Sequence, residues 1–246
     1  MTVKARRIVR YGVITLVALL VVAALGFVAW TRLARYPAFP EATALAQTAQ
    51  TPQGWYVFQP AQPSDVGFIF YPGGLVDSAA YAPLMQQLSD QGITSIIVPM
   101  PLDLAIFGVN KANDVIAAYP EIKHWIIGGH SLGGSMAAEF VKGNPSAAEG
   151  LAFMAAYPGD TTNLSALPIK VISLHGSHDG LATNDKVQNS LKNLPADARV
   201  ILIDGGNHAQ YGNYGPQAGD GQATISREDQ QQQTVEAVAE LVNELK

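Results

Sequence analysis

The run Trp125-Ile126-Ile127-Gly128-Gly129-His130-Ser131-Leu132-Gly133-Gly134 passes from an apolar strand, through glycines, into a helix-length segment. Its centre, Gly129-His130-Ser131-Leu132-Gly133, is a G-x-S-x-G elbow, a sharp strand-to-helix turn that lifts one hydroxyl above the edge of a sheet. The flanking glycines are needed because strand and helix come too close there for a Cβ. A serine oxygen is a weak nucleophile at its free pKa and requires a neighbouring base. The chemically silent alternative is a glycine-rich helix start, so the partners of Ser131 have to be sought elsewhere in the chain.

Outward from this elbow, short apolar runs alternate with helix-length segments. The expected strands are Trp55–Phe58, Val66–Tyr71, Ile93–Val98, Trp125–Ile127, Gly150–Ala155, Ile169–Leu174 and Val200–Ile203. Several are apolar throughout, as strands covered on both faces are. Between them lie expected helices at Ala80–Asp90, Lys111–Tyr119, Gly133–Lys142 and Asn184–Asn193, and a last one from about Arg227 to Lys246, opened by Ser226 with Asp229 three residues on. The Gln230–Gln233 run inside that helix reads as a solvated face. Such alternation predicts an α/β fold, a mostly parallel sheet with helices on both faces. In sheets of that kind ligands bind at the carboxyl ends of the strands.

Four strand ends carry chemistry-bearing residues. Besides the elbow, the strand ending at Leu174 runs into His175-Gly176-Ser177-His178-Asp179-Gly180, and the strand ending at Ile203 into Asp204-Gly205-Gly206-Asn207-His208. The chain order Ser131, Asp179, His208 matches one of the known orders of Ser-His-acid sites, in which the histidine takes the serine proton and the acid fixes its tautomer. His178 is the rival base, and Asp160, Asp185 and Asp204 are rival acids. His130, the variable residue of the elbow, is expected to point elsewhere, His124 to begin a strand at the opposite sheet edge, and His175 to be a hydrogen-bonded lining residue. The fourth strand end is Phe70-Tyr71-Pro72-Gly73-Gly74-Leu75, whose glycines leave backbone N–H groups to face a developing oxyanion together with the Leu132 N–H. Gly74 or Leu75 supplies that second donor, and Gly74 is the expected one. The alternative is an ordinary glycine turn. His175, His178, Asp179 and His208 could instead hold zinc, but that leaves the elbow unexplained.

These motifs, Tyr71-Pro72-Gly73-Gly74, Gly129-His130-Ser131-Leu132-Gly133, Gly176-Ser177-His178-Asp179 and Asn207-His208-Ala209, resemble the α/β-hydrolase superfamily, and within it the small dienelactone-hydrolase-like branch, over about Gly54 to Lys246. The resemblance implies Ser131 as nucleophile, Asp179 as acid, His208 as base, an acyl substrate and no cofactor or metal. Two departures stand out. The branch proper uses a cysteine nucleophile and this chain has none, and Pro72 stands where many relatives carry His. Only Ala156–Pro168 separates two of the expected strands, too short for a helical cap, so an open site is expected. The glycine- and tyrosine-bearing stretch Tyr211–Gly221 is then a candidate cover, or else a surface loop without consequence.

The remainder of the sequence bears on location. In 246 residues, 48% hydrophobic and without cysteine, there is ample material for a core and none for a disulfide framework or thiolate site. Lys4, Arg6, Arg7, Arg10, Arg32 and Arg35 give residues 1–35 a charge of +6, while the rest carries −11. An acidic body lacks the cationic surface that displaces counterions from phosphates, which argues against nucleic-acid binding. Tyr11–Trp30 is uncharged for 20 residues, and a helix of that length spans about 30 Å, the hydrocarbon thickness of a bilayer. With four basic residues before it and two after, the positive-inside rule places Met1 in the cytoplasm and the following domain outside. The expected organisation is a basic tail and anchor over residues 1–35, a semi-flexible linker over 36–53 and the catalytic domain over 54–246. A secretory signal cleaved near Ala44-Leu45-Ala46 is the alternative, although its usual apolar region is shorter, about 7–15 residues. On this reading the chain is a membrane-tethered serine hydrolase acting on a small acyl substrate. A binding protein on a hydrolase fold and an acyltransferase with the same triad are the alternatives.

Overall fold

The computed structural model describes residues 3–245. Met1, expected in the cytoplasm, Thr2, and Lys246, expected to end the last helix, lie outside the described residues, as do the side chains of Lys4 and Arg6. The chain divides into two units, Met1–Arg35 and Tyr36–Lys246. The first is a single helix, α1, Val3–Leu33, whose segment Arg10–Leu33 is long and apolar enough to cross a membrane.

The second unit is built on a seven-stranded sheet: β1 (Tyr56–Phe58), β2 (Val66–Tyr71), β3 (Thr94–Ile97), β4 (His124–His130), β5 (Gly150–Met154), β6 (Lys170–Gly176) and β7 (Arg199–Ile203). The order is β1-β3-β2-β4-β5-β6-β7, with β1 antiparallel at one edge and every other pairing parallel. All seven strands fall within two or three residues of where apolar runs predict them. The parallel register has a direct consequence for function. Because β2, β4, β6 and β7 point the same way, the segments leaving them emerge along one edge of the sheet.

Alternate residues of the buried strands feed two cores. Phe68 and Phe70 face one side, packed with Leu84, Met85 and Leu88 of α3 (Ala82–Asp90) and Val235, Val238 and Leu241 of α7 (Arg227–Asn243). Ile69 and Tyr71 face the other, with Val115 of α4 (Ala112–Ala118) and Ala137, Phe140 and Val141 of α5 (Leu132–Gly143). Side chains alternate across a strand, so a run apolar throughout requires cover on both faces, and the helices provide it. At α7 the expected start is found: Ser226 Oγ accepts from the Asp229 N–H at 3.0 Å.

Three expectations need correction. The 36–53 segment is not a spacer: it contains α2, Pro40–Ala49, with Pro40 at the first turn and Ala42 and Ala46 buried one turn apart. Ala46 belongs to the core shared with α3 and α7, and the helix joins the compact unit. Alanines spaced i, i+4 form a narrow apolar stripe that bulk-hydrophobicity reading misses, whereas the prolines around them suggest a linker. The Gln230–Gln233 run is not solvated throughout, since Gln230 and Gln231 are buried. Tyr211–Gly221 is not a surface loop throughout: Tyr211 and Tyr214 are wholly buried in the core. Residues 155–169 contain no helix, so no cap is built between β5 and β6.

Candidate active site

Ser131 lies at the turn between β4 and α5 with φ 51° and ψ −123°, a strained conformation for a residue bearing a Cβ. What enforces it is close backbone contact. A Cβ on Gly133 would lie 2.0 Å from the Tyr71 carbonyl oxygen, and one on Gly129 2.5 Å from that same atom. The end of β2 therefore presses into the elbow, and only hydrogen fits between them. The Ser131 N–H donates to the Met154 carbonyl of the neighbouring strand at 3.0 Å, which anchors the turn to the sheet.

Beside the elbow is the loop leaving β2. Gly73 N–H donates to the Tyr81 hydroxyl at 3.0 Å, and Leu75 N–H to the Asp103 carbonyl at 2.8 Å. Gly74 stands between them, with no hydrogen bond to its N–H among the described residues. It faces Leu132: a Cβ on Gly74 would meet Leu132 Cδ2 at 3.1 Å and Leu104 Cδ2 at 3.7 Å. Of the two sequence candidates for a donor, Leu75 is already committed and Gly74 is not. Leu132 is the first residue of α5, where helical N–H groups lack intrahelical acceptors and the helix dipole favours negative charge.

Across the edge, His208 Nδ1 lies 3.1 and 3.0 Å from the two carboxylate oxygens of Asp179. Both side chains are buried, to 2% and 0% exposure respectively. Asp179 Oδ1 also accepts the Leu181 and Ala182 N–H groups at 2.8 and 2.7 Å, so the carboxylate is held from two sides. An ionised carboxylate only accepts, which puts the proton of the neutral imidazole on Nδ1 and leaves Nε2 with its lone pair. That Nε2 is buried without a hydrogen-bond partner. Among the described residues Ser131 Oγ has no hydrogen-bond partner either, so serine and imidazole are not bonded to each other.

The rivals are placed elsewhere. His178 is exposed, its Nδ1 donating to the Gln222 carbonyl at 2.6 Å, and Asp160, Asp185 and Asp204 are exposed. His175 bonds Asn184 through Nε2 at 3.2 Å, and His124 pairs with Glu149 at the far edge. Among the described residues His175, His178, Asp179 and His208 do not gather into a cluster that could hold a metal ion.

His130 corrects the expectation that it points elsewhere. Its ring packs on that of His208, centroids 4.6 Å apart, and its Nε2 lies 3.0 Å from the His208 carbonyl. Because a carbonyl only accepts, Nε2 carries the proton and Nδ1 accepts from the Tyr81 hydroxyl at 2.8 Å. That hydroxyl in turn accepts the Gly73 N–H, giving one chain of hydrogen bonds from the β2 loop through the elbow to the backbone of His208. Burial, and then the charge of a protonated His208, push the His130 pKa well below its ordinary 6.5. His130 is thus a neutral strut. Burial likewise raises the pKa of the Tyr81 phenol, keeping it a donor.

Sequence reasoning also missed Gln230. Its side-chain amide accepts the Asn207 N–H at 2.9 Å and donates to the Asn207 carbonyl at 2.8 Å, bracing the residue before His208. A cavity of about 490 Å³ lies against this loop, lined by Asn207, Ala209, Tyr214, Asp220 and Arg227 among others. Ser131 is not among its lining residues, so this cavity is not where an acyl group would meet the elbow.

The fold is a mostly parallel sheet covered on both faces, with the elbow serine, Asp179 and His208 at one sheet edge. A family model described as the alpha/beta hydrolase family matches residues 67–232, and the chain belongs to that family. No curated protein matches the sequence. Among solved structures, the chain is similar to Est1E from Butyrivibrio proteoclasticus with ferulic acid bound (TM-score 0.61, 11% identity, 77% of this chain and 95% of that one). It is also similar to a Paleococcus ferrophilus monoacylglycerol lipase (TM-score 0.59, 11% identity, 76% and 98%) and to alpha/beta hydrolase domain-containing protein 10 from mouse (TM-score 0.56, 14% identity, 78% and 94%). At these identities the likeness is one of fold.

Proposed function

We propose that this chain is a serine hydrolase that cleaves a carboxylic ester, lactone or thioester through an acyl-enzyme. The observation that carries the reading is the His208 imidazole, protonated at Nδ1 toward buried Asp179 and offering an unpartnered Nε2, at the same sheet edge as the elbow serine. In the reaction Ser131 Oγ attacks the acyl carbonyl as His208 Nε2 takes its proton. Asp179 holds the tautomer and stabilises the imidazolium. The tetrahedral oxyanion is received by the N–H groups of Leu132 and Gly74. His208 then returns the proton to the leaving alcohol or thiol, and water repeats the sequence to release the acid. The Ser131–His208 hydrogen bond closes when substrate is bound, as catalytic hydrogen bonds commonly do. The half-buried Leu104 and Leu132 beside Gly74 offer an apolar wall for the acyl group. Esterase and lipase names among the similar folds agree with an ester substrate. The absence of cysteine from the chain supports a serine rather than the cysteine nucleophile of the dienelactone hydrolases proper.

The same reading makes Tyr11–Trp30 a membrane anchor with the catalytic unit outside. Cleavage after Ala46 would cut through α2, whose Ala42 and Ala46 are buried, and this favours the anchor over the cleaved signal. The whole chain in detergent micelles, assayed with 4-nitrophenyl butyrate, tests the enzyme. Ser131→Ala is expected to lower kcat by about 10⁴-fold or more, and activity that survives it overturns the mechanism. A chain tagged near Met1 is expected to stay in the membrane fraction after an alkaline wash; a soluble product lacking its first 46 residues selects the cleaved form.

A further inference from the structure

Asp179 and His208 stand on loops leaving β6 and β7, beyond the ladder that pairs those strands. The loops meet directly as far as the His178 N–H, which donates to the Gly206 carbonyl at 2.8 Å, and the Ser177 hydroxyl, which accepts the Gly205 N–H at 2.8 Å. At Asp179 and His208 themselves, one side chain from a third segment reaches both loops. Asp220 Oδ1 accepts the N–H of His208 at 3.0 Å and of Gly180, the residue after Asp179, at 3.3 Å, as well as its neighbour Gly221 at 2.8 Å. Its Oδ2 accepts the Ala209 N–H at 2.9 Å. The carboxylate meets His208 only at the backbone, so its place is distinct from that of Asp179 on the imidazole.

The segment carrying Asp220 is itself clamped to both loops. A Cβ on Gly221 would lie 2.1 Å from the His178 carbonyl oxygen, and one on Gly180 2.3 Å from the Gly219 carbonyl oxygen. The Asn207 side chain donates to the Gly221 carbonyl at 2.8 Å, and His178 to that of Gln222 at 2.6 Å. Glycine at these points lets the 219–222 segment lie directly on the acid loop, and Asp220 reaches from there to the base loop.

We propose that Asp220 is a positioning residue that locks the distance and orientation between Asp179 and His208, an inference that rests on the serine-hydrolase reading above. Hydrogen bonds to an ionised acceptor are shorter and stronger than neutral ones, and four N–H groups on one carboxylate leave His208 little freedom to rotate about its own backbone. One carboxylate orients the ring and the other orients the residue that bears it. Loss of the second displaces Nε2 from the line to the Ser131 oxygen without removing any reacting group, and misplacement by about 1 Å costs on the order of 10²-fold in rate.

The test uses the full chain in detergent with a fluorophosphonate probe, resolving kinact from KI, for the wild type, Ser131→Ala, Asp220→Ala and Asp220→Asn. Asp220→Ala is expected to lower kinact by about 10²-fold with KI unchanged. Asn retains an oxygen for the His208, Gly180 and Gly221 donors and loses the Ala209 acceptor and the charge, so Asp220→Asn should recover part of the loss and stay about 10-fold below the wild type. Wild-type kinact in Asp220→Ala, or a loss residing wholly in KI, overturns the proposal. Should Asp220→Ala fail to fold, Asp220→Asn decides: a kinact about 10-fold down at unchanged melting temperature supports the role, and wild-type kinact overturns it. Labelling that persists in Ser131→Ala overturns the triad reading and this inference with it. Labelling lost in Ser131→Ala but unaltered at position 220 overturns the inference alone.

Discussion

The two sides of the site are held by different physics. On the elbow side, Ser131 is placed by backbone against backbone: strand β2 abuts Gly129 and Gly133 so closely that no side chain can intervene. On the histidine side glycines again lie backbone to backbone, at Gly176, Gly180 and Gly221, but side chains reaching back to backbone, those of Asp179, Asp220 and Gln230, are added to them. Steric placement is all-or-none, because a Cβ held 2.0 Å from a backbone oxygen cannot be relaxed locally. Polar placement is divisible, because each hydrogen bond can be removed with the rest in place. Adding a side chain at one of the packed glycines should therefore harm folding, and trimming one of the polar side chains on the histidine side should harm chemistry.

The largest test of that contrast is Asp179→Asn. The amide oxygen can still accept from Leu181 and Ala182, yet its NH₂ favours the wrong tautomer of His208. A fall in kcat of about 10⁴-fold is expected with the melting temperature within a few degrees of wild type. A comparably active variant would remove Asp179 from the mechanism. Next is Gly133→Ala, which forces a Cβ onto the Tyr71 carbonyl; a loss of about 3 kcal/mol or more in denaturant unfolding is expected. If this variant unfolds at the wild-type midpoint, the elbow is not sterically set.

A third test addresses His130, the strut joining both sides. Its folded pKa is lowered, so between that value and about 6.5 the unfolded chain binds a proton that the folded chain refuses. Stability is complete above pH 6.5 and falls as the pH drops below it, by about 1.4 kcal/mol per pH unit for this group. Thermal unfolding between pH 7.5 and 5.5 should show that decline, and His130→Gln, which does not titrate, should flatten it. An unchanged pH slope in the variant would mean that another group is responsible. The smallest effect is expected at the apolar wall: Leu104→Ala should raise KM for a long-chain ester about 3-fold relative to the acetyl ester, the value of a few buried methylenes at a half-exposed position. Equal effects on both esters would take Leu104 out of acyl contact.

Much of this was legible in the chain alone because it is local. Strand positions follow from apolar runs, and the elbow from five consecutive residues whose glycines report a close approach. The candidacies of Asp179 and His208 follow from their places just beyond apolar strands. None of that needs knowledge of which segment packs on which. Asp220, Gln230, His130 and α2 were misread or passed over because their partners lie far along the sequence: Gln230 is 23 residues from Asn207, and Tyr81 is 49 from His130. A polar side chain in a helix looks the same on paper whether it meets water or a buried carbonyl, and an alanine stripe is too weakly apolar to declare a partner. Local sequence determined where the candidate site residues could stand; only the folded contacts decided what holds them there, since a hydrogen bond depends on positions in space that no short stretch of chain encodes.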